Sequence, residues 1–343
     1  LSGLRVATYN VQWFDHLFDD GGRMLLDGAR GGREGVPRRR QLEALRHVFR
    51  ALDADAVLVV EAPDIAPPGR PGRDGRRALE GFARWAGLRA RRAVAGFANG
   101  TQQEIVLLHD PDALQARHDP QGTARSDPPR FDGAWRADLD GDGRPDPVAW
   151  SKPPLEIAAR SRAGRPFRLI GVHAKSKAPH GAQTEAEARR ISIENRRKQI
   201  GQCLWLRARV LRHLAAGDPL IVLGDFNDGP GLDEYEELFG RSGVEIVLGR
   251  GAEPRLHDPH ARRALQRRGA AAPATARFRV PPDLHWLSAL LDYVMLSPGL
   301  CARAPAWRIW HPFDDPALYA DAPLRDALLD ASDHFPVSVD LLL

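Results

Sequence analysis

Short apolar runs in this chain repeatedly stop at a single charged, amide or imidazole side chain. Asn10 lies near the end of the run from Leu4 to Val11, Glu61 follows Val57 to Val60, and His173 follows Leu169 to Val172. Asp225 and Asn227 follow Leu220 to Leu223, Asp292 opens Asp292-Tyr293-Val294-Met295-Leu296, and Asp333-His334 precede the final run to Leu343. Short apolar segments bounded by turn residues read as buried strands, and polar residues at strand ends can converge at one mouth of a sheet core. A buried charge is costly unless it is paired or ligates a metal. A cluster of this kind therefore implies a partner. Taken singly, each residue is ordinary turn chemistry, because Asp and Asn commonly follow strands; the argument rests on their joint occurrence. Oxygen and imidazole donors around one divalent cation and one phosphate point to phosphoester chemistry.

Between the strands the period changes. Leu42, Leu45, Val48, Phe49 and Leu52 recur at helical spacing, so the chain opens as β-α-β, and residues 184–214 read as one long helix. Further strands are expected at 104–108, 166–173, 220–223, 290–296 and 336–343, the last alternating Val337, Val339 and Leu341 against Ser338 and Asp340. Residues 15–37, 118–147 and 249–282 are rich in Gly, Pro or charge and read as loop insertions. No repeat and no linker is visible, so residues 1–343 are expected to form one α/β domain, and 43% hydrophobic content supports a sizeable core. No apolar run reaches the roughly 18 residues of a membrane span. The missing initiator Met suggests trimming and tilts the expectation towards a secreted or periplasmic protein, and the chain is expected to be monomeric.

The net charge is +4, and nearly all basic residues are Arg, with Lys confined to Lys152, Lys175, Lys177 and Lys198. Arg clusters recur at Arg38-Arg39-Arg40, at Arg189-Arg190 with Arg196-Arg197-Lys198, and at Arg262-Arg263 with Arg267-Arg268. Any one of them reads as a solvated helix face; together they would suit a polyanion. Cys203 and Cys301 read as two buried free thiols, too few for a metal-thiolate site. Asp138, Asp140, Asp142 and Asp146, with Gly143 at the sixth place, match the first part of a calcium loop, but Ala149 stands where its twelfth-position Glu would be. A structural Ca²⁺ site and a plain acidic hairpin turn both remain open. His257-Asp258-Pro259-His260 reads as a solvated turn rather than a metal pair.

The segments ATYNVQWF, ADAVLVVEAPD, QQEIVLLHDPDAL, WSKPPLEI, LIGVHAKSK, LIVLGDFNDGP, LLDYVMLSPGL and ASDHFPVSVDL, spread over residues 7–341, resemble the endonuclease/exonuclease/phosphatase superfamily. That group contains pancreatic-type deoxyribonuclease, AP endonucleases, neutral sphingomyelinases and inositol-polyphosphate 5-phosphatases. The resemblance implies a four-layer α/β/β/α sandwich, two mixed sheets face to face, with the site at one open end. It implies Glu61 as principal Mg²⁺ ligand, with Asn10 and Asp333 completing the shell through oxygens or waters and Mn²⁺ able to substitute. His334 would be general base or phosphate-orienting group, its tautomer held by Asp292. Asp225 and Asn227 would position the attacking water, His173 would face the leaving oxygen, and Lys152 and Lys175 would meet substrate phosphate.

Departures bear on substrate. Gln103 stands where pancreatic-type deoxyribonucleases carry a Glu behind the histidine matching His173, and Lys152 replaces an Arg, keeping charge but losing its bidentate fork. Val60 replaces the usual Gln before the metal-binding Glu, and LDYVML replaces the 5-phosphatase hallmark, which lowers inositol phosphates in rank. The expectation is a bacterial Mg²⁺-dependent phosphodiesterase that cleaves DNA internally. The alternatives are a sphingomyelinase-like or small-molecule phosphoesterase, with Trp286-Leu287 as its membrane-seeking candidate, and a catalytically silent binding module.

Overall fold

A computed structural model describes residues 3–66, 73–121, 132–139, 142–230, 239–266, 272–280 and 285–343. Its strands are β1 (Gly3–Asn10), β2 (Ala56–Ala62), β3 (Arg92–Ala95), β4 (Glu104–His109), β5 (Leu114–His118), β6 (Asp132–Ala137), β7 (Asp146–Ala149) and β8 (Leu155–Ser161). They continue with β9 (Pro166–His173), β10 (Leu220–Asp225), β11 (Ala276–Val280), β12 (His285–Ala289), β13 (Asp292–Leu296), β14 (Ala306–Ile309) and β15 (Val337–Leu342). The helices are α1 (Arg38–Leu52), α2 (Gly75–Ala86), α3 (Glu185–Ala215), α4 (Gly243–Leu248), α5 (Pro259–Gln266), α6 (Pro298–Cys301), α7 (Pro316–Ala320) and α8 (Ala322–Ala331).

The strands form two large mixed sheets, in the orders β14-β15-β1-β2-β4-β3 and β13-β10-β9-β8-β5, with the ribbons β11-β12 and β6-β7 beside them. Side chains along a strand alternate faces, and here both faces are apolar. Leu4, Val6, Leu58 and Val60 of the first sheet meet Ile157, Leu169, Ile221 and Leu223 of the second in one core between the sheets. The odd-numbered Ala7, Tyr9, Val57 and Val59 turn the other way, onto Leu42, Leu45 and Phe49 of α1 and Leu79 and Phe82 of α2. Val172, Leu220 and Val222 pack outward on Cys203, Leu206 and Val210 of α3 and Val244 and Val247 of α4. The result is the expected four-layer α/β/β/α sandwich. The two sheets approach closely at Gly171, where a Cβ would stand 2.5 Å from Leu58 Cδ1.

Register explains why the polar residues converge. The parallel pairs β1-β2 and β9-β10 end together, Asn10 opposite Val60 and His173 opposite Asp225. The antiparallel β13 begins at that edge, Asp292 opposite Asp225. β15, antiparallel to β1, also begins there, just after Asp333-His334.

Some expectations need correction, and others are placed in the fold without being tested. Arg196 belongs to no surface cluster: it is fully buried against Asp228, while Lys198, Arg38 and Arg40 pair with Glu194, Asp27 and Asp330. Arg267 and Arg268 lie outside the described residues. Asp258 is a buried helix cap rather than a solvated turn, accepting from the amides of His260, Ala261 and Val294 at 2.9, 2.9 and 3.0 Å. Both cysteines are free, but Cys301 is half-buried. The stretch 249–282 carries α5 and β11 as well as loop. Asp138 and Asp142 accept from the turn amides of Gly143 and Arg144 at 3.0 and 2.7 Å, Asp146 pairs with Ala137 across the β6-β7 ribbon, and Asp140 lies outside the described residues. No helix among the described residues is long and apolar enough to cross a membrane.

Candidate active site

Glu61 reaches the cleft by breaking the rules of its strand. The β2-β4 register shifts between Val60 and Ala62, and Glu61 sits in the left-handed region with φ 59°, a bulge that takes one residue out of alternation. Gln12, Trp13 and Asn227 share that unusual conformation at φ 24°, 57° and 49°. Non-glycine residues held there cost about 1–3 kcal/mol each and persist where the surroundings over-determine them. Here the surroundings are hydrogen bonds. Trp13 N donates to Glu61 Oε2 at 2.8 Å, Gln12 N to Asn10 Oδ1 at 3.1 Å, and Asn227 N to Asp225 Oδ1 at 2.7 Å. Asn10 Nδ2 donates to Asp225 Oδ2 at 3.0 Å and lies 3.5 Å from Glu61 Oε1, so the amide ties the two carboxylates together.

Burial raises the Glu61 carboxyl above the ordinary range, opposed by the Trp13 amide and the Lys152 charge. Burial, then the neighbouring Asp292 charge, pushes Asp225 up to about 7. On the other side of the cleft Asp292 Oδ2 accepts from His334 Nδ1 at 2.8 Å. Burial opposes the imidazolium, but the Asp292 carboxylate outweighs it with Asp225 and Asp333, and His334 titrates well above its ordinary value. Ser332 Oγ accepts from His334 N at 3.2 Å and donates to Asn10 O at 2.8 Å, which locks the β15 approach onto the end of β1. Thr275 Oγ1 accepts from Leu291 N and Asp292 N, both at 2.9 Å.

His173 lies in different company. Its Nε2 is 3.0 Å from Lys152 Nζ, 3.8 Å from Asp225 Oδ2 and 4.0 Å from Glu61 Oε1, while Nδ1 is buried with no hydrogen-bond partner among the described residues. Burial first, then the Lys152 charge, drives its pKa well below the ordinary value. Gln103 Oε1 accepts from Lys152 Nζ at 3.3 Å, so Gln103 reaches His173 through the lysine. Glu104 turns away to hold Asn99.

These residues line one cleft of about 940 Å³, with Asn10, Glu61, His173, Asp225, Asn227, Asp333 and His334 joined by Lys152 and Lys175. Asp292 stands behind His334 as its support. Sequence reasoning missed Gln12, Trp13, Arg33 and Arg279 on the same wall, and marked Trp286 only as a membrane-seeking candidate. The Trp13 amide had no signal in sequence, because a backbone donor is not a residue type. It also missed the buried network behind the loop after β10, where Asp228 accepts from Arg196, Lys177 and Gly243 N. Gln199 Nε2 there donates to the carbonyls of Lys175, Phe226 and Asn227 at 2.9, 3.2 and 2.9 Å.

The donor set fits a hard divalent cation. Ligand atoms of Asp225, Asp292 and His334 lie within 4.8 Å of one another, but Asp292 and His334 bond to each other, so the oxygen donors left to a cation at the cleft are the desolvated Glu61 carboxylate, Asp333 and the Asn10 amide. Oxygen donors of this kind suit a hard divalent cation.

Residues 7–334 match the Endonuclease/Exonuclease/phosphatase family. The chain belongs to that family. No curated protein sequence matches it. Truncated TDP2 from Caenorhabditis elegans is similar in structure over 99% of this chain and 98% of that one, at 14% identity and a TM-score of 0.54. TDP2 from the same organism is similar over 99% and 75%, at 14% identity and a TM-score of 0.53. These likenesses carry the sandwich fold. A Bacteroides thetaiotaomicron mannosyl-6-phosphatase is similar over 99% and 100%, at 14% identity and a TM-score of 0.47. Endonuclease/exonuclease/phosphatase proteins are generally metal-dependent hydrolases, typically with a divalent ion.

Proposed function

We propose that this protein is a Mg²⁺-dependent phosphodiesterase that cleaves nucleic acid, foremost DNA, internally by in-line attack of water. The observation that carries the reading is the joint arrival of Glu61, Asp225, His173 and the Asp292–His334 pair in one cleft, from strands of both sheets. Glu61, Asp333 and Asn10 would hold Mg²⁺ or Mn²⁺, which when bound offsets phosphate charge and polarises the scissile bond. Asp225, buffered near neutrality and braced by Asn10 and the Asn227 amide, would orient the attacking water. His334 would donate to a phosphoryl oxygen, its charge sustained by Asp292, while Asn227 stabilises the crowded phosphorus. Lys152 and Lys175 would meet the phosphate, and neutral His173, accepting from Lys152 at Nε2, would hold that ammonium on the leaving-oxygen side.

A polymer suits an open cleft whose rim adds Arg33 and Arg279 to these lysines. The lipid alternative is less favoured, because Trp286 is flanked by the guanidiniums of Arg277 and Arg279 at 4.4 and 5.1 Å, charges that insertion into acyl chains would have to bury. The test is hydrolysis of plasmid, sphingomyelin and bis-p-nitrophenyl phosphate with Mg²⁺, Mn²⁺, Ca²⁺ or EDTA, for the wild type and Glu61→Gln. The variant should lose activity by on the order of 10²–10³ or more, as when one electrostatic group is removed, with an unchanged melting curve. Near wild-type turnover at low millimolar Mg²⁺ would remove Glu61 from the site, and sphingomyelin hydrolysis without DNA cleavage would end the nuclease assignment.

A further inference from the structure

The ribbon β11-β12 leaves the catalytic edge rather than either sheet. Ala276 bridges His334, and Arg277 N donates to Asp333 O at 2.7 Å, so the ribbon is anchored on the two residues that close the site. One face carries Arg277 and Arg279, with Trp286 directly across from Arg279. Arg277 Cζ lies 4.4 Å from the Trp286 ring and 5.0 Å from the Phe313 ring, and Arg279 Cζ lies 5.1 Å from Trp286. Trp286 and Phe313 are 48% and 40% exposed, an expensive placement for aromatics in a chain that buries most of its large apolar side chains. Arg279 and Trp286 line the cleft, whereas Phe313 lies beyond it, so the stack leads from the reacting centre outward.

The guanidiniums are the second observation. Many other Arg side chains pair with carboxylate, as in Arg5–Asp340, Arg89–Asp53 and Arg308–Asp315, and others, such as Arg39 and Arg303, donate to backbone carbonyls. Arg277 and Arg279 have no carboxylate partner among the described residues; they stack on rings instead. Stacking occupies the flat face of a guanidinium and leaves its N–H fork for an anion, for which phosphate is the matching shape. Exposed rings beside guanidiniums that have no carboxylate partner among the described residues are the combination by which proteins hold a single strand, bases on aromatics and backbone on Arg. A duplex keeps its bases stacked in pairs and cannot use the rings.

We propose that the Arg279–Trp286–Arg277–Phe313 ladder is a track for an unpaired nucleic-acid segment leading into the cleft, so that the preferred substrate presents single-stranded nucleotides beside the scissile bond. This rests on the nucleic-acid reading above and deepens it. Binding of fluorescent oligo(dT) and of a blunt duplex to the full chain, in EDTA so that nothing is hydrolysed, tests it. The unpaired strand should bind more tightly. Trp286→Ala and Phe313→Ala should each weaken oligo(dT) binding about tenfold and leave duplex binding alone, the size expected for a lost stacked base. Arg277→Gln and Arg279→Gln should each lower the slope of log affinity against log salt by about 0.7, the single-strand value per phosphate. Equal affinity for duplex and single strand, or wild-type oligo(dT) binding by both ring variants, overturns the track. So does binding to sphingomyelin vesicles that requires Trp286. Wild-type hydrolysis of bis-p-nitrophenyl phosphate, too small to reach the ladder, judges the chemistry separately: its loss with oligo(dT) binding intact sinks the hydrolase reading and leaves the track standing.

Discussion

Two imidazoles face one cleft, and their surroundings push them in opposite directions. His334 is gripped at Nδ1 by Asp292, which is itself held in place through the Thr275 hydroxyl on its backbone, and the carboxylates around it favour the charged ring. His173 has a lysine at Nε2 and, among the described residues, no partner at Nδ1, and burial favours its neutral form. One pKa unit is about 1.4 kcal/mol of preference between protonation states. On the proposed mechanism the opposed shifts would divide the labour: one ring supplies a fixed proton and charge, the other a neutral acceptor for Lys152. The positive charge on the His173 side sits on Lys152.

The sharpest test of this contrast is the pair of alanine variants. His334→Ala should lower kcat by on the order of 10³, within the range for a positioned proton-transfer or phosphate-orienting group, and Asp292→Asn should cost less but in the same direction. His173→Ala should cost about tenfold, the size of one hydrogen bond. Steady-state kinetics on a small phosphodiester decides. Equal losses for the two histidines, with an alkaline limb missing in His173→Ala, would break the comparison and return His173 to proton transfer.

The strand ends were legible because they obey simple rules: apolar runs of period two, each stopped by a residue too polar to bury alone. His334, Asp225 and Glu61 could be found that way, and the layer order followed from the motifs. The opposite characters of the two histidines could not. They depend on Asp292 and Lys152, distant in sequence and brought alongside by register. Edge strands such as β5, where Leu114 and Ala116 alternate with Gln115 and Arg117 and the inward run already ends at His118, carry too little apolar signal to be told from loop. Arg196 misled for a related reason: α3 buries Asn195, Arg196, Gln199 and Gln202, polar side chains that tie down the loops after β9 and β10, so its buried face reads as a solvated one. The Glu61 bulge has no residue signature, since nothing in Val60-Glu61-Ala62 demands a positive φ.

Lys152 offers the smallest effect and the most specific one. It is 9% exposed, and burial lowers its pKa to about 8 against the pull of Glu61 and Asp225. Below that value the ammonium carries the phosphate-binding charge of the His173 side; above it the proton is lost, and with it the charge. Activity should therefore decline as pH rises through about 8, a limb that neutral His173 cannot produce and that Lys152→Arg distinguishes from loss of the His334 proton. Lys152→Arg stays charged throughout this range and should move the limb upward by about one unit or more, since no group in its place titrates there. At pH 7 the variant should lose roughly threefold to tenfold, because a planar fork must fit where a single Nζ now bridges Gln103 and His173. The full pH profile of kcat/KM for the two proteins reads both effects at once. An alkaline limb that stays put in Lys152→Arg would detach the charge from Lys152, and the division between a charged His334 side and a lysine-assisted His173 side would have to be redrawn.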